Sequence, residues 1–99
     1  MLILVGHIKT SPDQVAALLA DLKSLIPATL LEDGCLAYAF ALDDAATGAV
    51  LVYERWRDEA ALAAHLAVPA VGAVLGKWGD KVELAVRKFD ASNERGALD

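Results

Sequence analysis

The run Leu2 to Ile8 constrains this chain more than any other segment, because its β-favouring residues are apolar at nearly every position instead of at every second one. A strand with one wet face alternates, so an unbroken apolar strand belongs inside a sheet that is covered above and below. The rest of the chain must therefore supply strands on either side of it and layers for both faces.

The next segments read as those parts. Ser11-Pro12-Asp13-Gln14 offers a hydroxyl cap, a proline at the first helical position and a glutamine able to close a capping box. Val15, Leu18, Leu19, Leu22 and Ile26 follow at the three-and-four spacing of a buried helical stripe, which Pro27 ends or bends. Glu32-Asp33-Gly34 marks a turn into a strand from Cys35 to Leu42, where Leu36, Tyr38, Phe40 and Leu42 alternate with alanines. Asp43 to Gly48 reads as a hairpin loop. The strand after it, Val50 to Trp56, puts Val50, Val52, Glu54 and Trp56 on one side and Leu51, Tyr53 and Arg55 on the other. Asp58 can cap a second helix bearing Leu62, His65 and Leu66, and beyond Pro69 a further stripe holds Val71, Val74, Leu75 and Trp78. Val82 to Phe89 is the last strand, and Asp90 to Asp99 is a polar tail, loose unless a partner holds it.

Strand, helix, strand, strand, helix, strand is the ferredoxin-like βαββαβ order of an α+β fold with an antiparallel sheet, read here as one domain over residues 1–99. Right-handed crossovers put both helices on one sheet face and leave the other bare. Composition bears on that bare face. A chain of 99 residues that is 57% hydrophobic, with a mean hydropathy of +0.42, has too much surface per volume to hide its apolar matter alone. The expected cover is the same face of a second copy, a homodimer through the sheet.

Other classes are disfavoured. A formal net charge of −5 leaves no basic field for nucleic acid. The single cysteine, Cys35, cannot form an internal disulfide and lies in no zinc-like spacing, which suits a reducing cytoplasm. The apolar opening lacks a basic flank and is interrupted by Gly6 and His7, so neither a signal peptide nor a membrane span is expected.

Three pieces in order, Glu32-Asp33-Gly34-Cys35-Leu36-Ala37-Tyr38, Tyr53-Glu54-Arg55-Trp56, and Asp58-Glu59-Ala60-Ala61-Leu62 with His65-Leu66 and Pro69, resemble the antibiotic biosynthesis monooxygenase domain. The resemblance implies a dimeric α+β barrel with a small apolar pocket in each subunit. It implies one of several activities: oxidation of quinols or polyketides with neither metal nor flavin, haem degradation, or isomerisation of a small metabolite. Two departures bear on this choice. Pro69 is followed by Ala70 where many members carry histidine, and the sole asparagine, Asn93, lies in the tail.

Within that frame Glu54, Trp56 and His65 are the candidate catalytic residues, since strand parity and the helix stripe can bring them to one pocket. His65 suits a base, with an unperturbed pKa of about 6.5; the alternative is a core histidine satisfied by its neighbours. Trp56 is either a platform for a planar ring or plain core. Glu54 either orients His65, stays protonated in the pocket, or joins an ion pair beside Arg55 and Arg57. His7 and Tyr38 are the candidate substrate contacts. Parity groups His7 with Ile3 and Val5 without fixing their face, and the pocket is preferred to the partner sheet; Tyr38 is a wall, a phenolic donor or strand packing. Cys35 and Trp78 are read as core. The expectation is a cofactor-independent monooxygenase acting on a small hydroxylated aromatic with dioxygen. A proton-transfer isomerase and a catalytically silent binding or assembly module are the alternatives.

Overall fold

The computed structural model describes residues 1–99. In chain order the elements are β1 (Leu2–Lys9), α1 (Val15–Ser24), α2 (Ile26–Thr29), β2 (Cys35–Asp44), β3 (Ala49–Trp56), α3 (Glu59–Leu66), α4 (Pro69–Trp78) and β4 (Glu83–Asp90). The strands form one sheet in the order β2-β3-β1-β4, every neighbouring pair antiparallel. The apolar run β1 is thus internal, flanked by β3 and β4, and the ferredoxin-like α+β fold is the observed one. No single helix is long and apolar enough to cross a membrane.

Alternation sorts the two faces. Leu2 and Ile8 of β1, Tyr38 and Phe40 of β2, and Val50, Val52 and Trp56 of β3 are buried beneath the helices with Val15, Leu18 and Leu22 of α1, Leu62 of α3, and Val71 and Trp78 of α4. Asp21 ties α1 to α4, accepting from Lys77 Nζ at 2.7 Å and Trp78 Nε1 at 2.8 Å. Those bonds, the one to Lys77 foremost, hold its carboxyl below the usual range. The opposite face carries Val5, Leu51, Tyr53 and Phe89, all exposed. The helices do not reach β4 fully: Leu84, on the helix side, is 68% exposed.

Glycine is required inside β1. Gly6 has φ of +150°, and a Cβ there would lie 2.0 Å from the Ala85 carbonyl oxygen.

Several local expectations need correction. The capping box at Ser11 does not form; residues 12–14 make a turn, the Gln14 N–H donates to the Ser11 backbone carbonyl, and α1 starts at Val15 with no side-chain cap. Asp58, by contrast, does cap α3, accepting from the Ala61 N–H at 2.9 Å. Leu36 is exposed instead of sharing the bulky face, because a bulge between Cys35 and Ala37 resets the alternation. Leu66 and Leu75 belong to the helical stripes by period yet are exposed, since they overhang the cleft toward β4 instead of packing on it. The tail is tied by its own chain: Met1 and Ala91 exchange backbone hydrogen bonds, and Glu94 meets Arg55 at 2.6 Å.

Candidate active site

Between α1, α3, α4 and the sheet lies a cavity of about 340 Å³, walled mostly by aliphatic side chains such as Leu4, Val52, Leu62 and Val71. Four polar side chains reach it: Tyr38, Glu54, His65 and Lys88. A mostly apolar hollow with a few convergent polar groups is the general form of a small-molecule site.

Each polar group is placed by its element. The two-residue period of β3 puts Glu54 on the inward face between Val52 and Trp56, where water cannot easily solvate it. Its one protein hydrogen bond comes from Trp56 Nε1 at 3.0 Å. Burial outweighs that bond and the attraction of His65, so the Glu54 carboxyl is pushed above its ordinary range. Tyr38 pairs with Glu54 across β2 and β3, and its phenol is raised further, by burial first and then by the charges of Glu54 and Glu32. It stays a neutral donor.

His65 sits on α3 and is only 2% exposed. Its ring lies 4.6 Å from the Trp56 ring and 5.1 Å, edge to face, from Tyr38. Nδ1 is 3.1 Å from both carboxylate oxygens of Glu32, while Nε2 has no hydrogen-bond partner in the protein. Glu32 in turn lines a shallow surface cleft with Asp33, Arg57 and Ala61, so the imidazole stands between the inner cavity and the outside. No three His, Cys, Asp or Glu side chains converge as a metal-holding group.

Glu54, His65 and Tyr38 therefore share one cavity. Trp56 is beside it but does not line it: the side chain is fully buried, at 0% exposure, and its N–H is committed to Glu54. A ring platform offering that N–H to a ligand is not its geometry; it is the support that fixes Glu54 and His65. Glu54 does not orient His65 through a hydrogen bond, and it joins no ion pair, for Arg55 meets Glu94 while Arg57 meets Asp33 and Asp58. His7 is on the bare sheet face, opposite Leu51 and Ala85, with Nε2 2.9 Å from Asp43, so it is not a pocket residue. Leu4 and Ile8, three residues and one residue away and so of opposite parity, take the pocket side instead. Cys35 is partly buried and Trp78 buried, and burial pushes the Cys35 thiol up. By local sequence Glu32 is only part of a turn. The signal that it matters is its position at the head of the Glu-Asp-Gly piece of the resemblance.

Comparison with known proteins decides the family. The profile of antibiotic biosynthesis monooxygenases matches residues 1–77. The chain belongs to that family. It is 32% identical over 98 residues to the probable quinol monooxygenase YgiN of Escherichia coli, a match covering 88% of this chain and 94% of that one. It is 32% identical over 68 residues to the uncharacterized protein sll1783 of Synechocystis, covering 69% of this chain but only 46% of that longer protein. The fold is also that of the antibiotic biosynthesis monooxygenases: a Deinococcus radiodurans protein assigned to them superposes with a TM-score of 0.86 at 29% identity, over 100% of both chains. Rv0793 of Mycobacterium tuberculosis gives a TM-score of 0.81 at 27% identity, covering 94% of this chain and 96% of that one. Family and relatives together support a monooxygenase-type function.

Proposed function

We propose that the protein oxidises a small hydroxylated aromatic, a quinol or polyphenol, with dioxygen as oxidant and the substrate's own electrons as reductant. One observation carries this reading: an imidazole held from behind by Glu32 and a carboxyl of raised pKa held by Trp56 face the same apolar cavity.

A carboxylate only accepts, so Glu32 holds the proton on His65 Nδ1 and leaves the Nε2 lone pair free. Nε2 takes the hydroxyl proton of the substrate. The electron-rich phenolate transfers one electron to dioxygen, and the radical pair recombines to a peroxide anion on a ring carbon. His65 returns the proton it took to the distal oxygen. Loss of the hydrogen on that carbon with cleavage of the O–O bond releases water and leaves a carbonyl. One quinol and one dioxygen thus give one hydroxyquinone and one water. The apolar walls keep bulk water from the radical pair.

The test is oxygen uptake by purified protein with simple quinols. His65→Ala should lower kcat by about a hundredfold or more while the protein still folds; full activity in that variant would remove His65 from the chemistry. Turnover of a substrate without oxygen would favour the proton-transfer isomerase, which needs the same two groups and no oxidant. The homodimer belongs to the same proposal. The exposed row Val5, Leu51, Tyr53 and Phe89 lies on the side away from the cavity, so a second copy can cover it without closing the site.

A further inference from the structure

The cavity of His65 and Glu54 does not end at α4. A second hollow, of about 230 Å³, continues from it, and Ile8, Leu22, Val74, Leu75 and Leu84 wall both. Leu18, Trp78, Gly79 and Val82 line the second hollow and not the first, so they mark the far end. The polar side chains all belong to the first. None lines the second, and the Trp78 N–H is turned aside to Asp21. Polarity therefore runs one way along the groove, from acid–base groups at one end to bare hydrocarbon at the other. Its rim is also apolar and wet, with Leu66 52%, Leu75 51% and Leu84 68% exposed.

Resting on the reading of the His65 cavity given above, we propose that the ligand is a hydroxyaromatic ring bearing an extended apolar chain, alkyl or isoprenoid. The ring occupies the Glu54–His65 end, and the chain lies along the groove toward Trp78 and Val82. A compact phenol at the Glu54–His65 end would leave the second hollow to water that its walls cannot hydrogen-bond. A chain displaces that water and covers Leu75 and Leu84, and each methylene buried strengthens binding about fourfold.

Calorimetric titration with a series of 4-alkylphenols, from 4-methylphenol to 4-octylphenol, each below its micelle concentration, tests this. Affinity should climb about fifteenfold with each added pair of methylenes and level off once the groove is full. Val82→Trp, which fills the far end, should cut the gain short while 4-methylphenol binds as before. Leu84→Ser, at a position 68% exposed and so little risk to folding, should weaken the long members selectively. Equal affinity across the series, or gains untouched by both substitutions, would overturn the chain assignment and leave the ring site standing. If 1-octanol binds as tightly as 4-octylphenol, the groove holds a chain but the hydroxyaromatic ring is wrong. If nothing in the series binds, both readings fall.

Discussion

Glu54 is an acid on an inward strand face otherwise made of Val50, Val52 and Trp56, and such a placement costs stability unless the proton stays on. Burial raises its folded pKa above the unfolded value of about 4.3. The group therefore favours the fold at acid pH, and that contribution is lost as pH rises through the folded pKa. Glu54→Gln should melt higher than the parent at pH 8 and show no such gain at pH 4, compared by thermal unfolding. An equal difference at both pH values would mean that the carboxyl is not strained by burial. In the proposed mechanism Glu32 acts through His65 instead of touching ligand. Glu32→Ala should lower kcat with little change in KM, and Glu32→Gln should restore part of the rate. A purely structural role would move stability without that split between kcat and KM. These residues divide by how far the sequence reveals them. Period alone brings Glu54 to an inward face and His65 to a buried helix face. The His65–Glu32 contact joins residues 33 apart, and no local spacing encodes it.

The elements were legible to within a residue or two wherever the hydrophobic period was long. β1, the β2–β3 pair and the broken second helix all follow from it, and Pro69 starts α4 as the proline signal implies. Misreadings arise where one backbone event overrides the period. The bulge after Cys35 exposes Leu36, and the turn at residues 12–14 replaces the Ser11 cap. The face of His7 was open because a strand apolar throughout has no wet side to read; the pairing of β1 with β3 and β4 decides it. At this scale the sheet centre is the most sensitive point. Gly6→Ala should cost at least about 2 kcal/mol through its positive φ, and the contact with Ala85 adds to that. Leu18→Ala, removing a side chain 1% exposed on α1, should cost about 3 kcal/mol. Urea denaturation measures both. A loss below 1 kcal/mol at either site would mean that the local packing relaxes freely.

For the whole molecule, the two sheet faces have different fates. One is roofed by helices and holds the cavity; the other offers Val5 opposite Tyr53 on neighbouring strands, an apolar row rimmed by His7–Asp43 and Arg55–Glu94. The proposed homodimer predicts that Val5→Glu with Tyr53→Glu halves the mass seen by sedimentation, the sheet itself remaining folded. A parent protein that sediments as one chain at micromolar concentration would end that proposal. In that proposal assembly is separated from chemistry, since the bare sheet face and the cleft open in opposite directions.

The half-wet rim of Leu66, Leu75 and Leu84 has an evolutionary consequence. Side chains with so much surface in solvent contribute little to holding the fold, so exchanges among them are nearly neutral for stability, within about 0.5 kcal/mol. Yet they border the cavity that holds Glu54 and His65. Lineages carrying this scaffold can therefore drift in what they admit while Trp56, Glu54 and His65 stay put, and new selectivity can arise without a compensating change in the core.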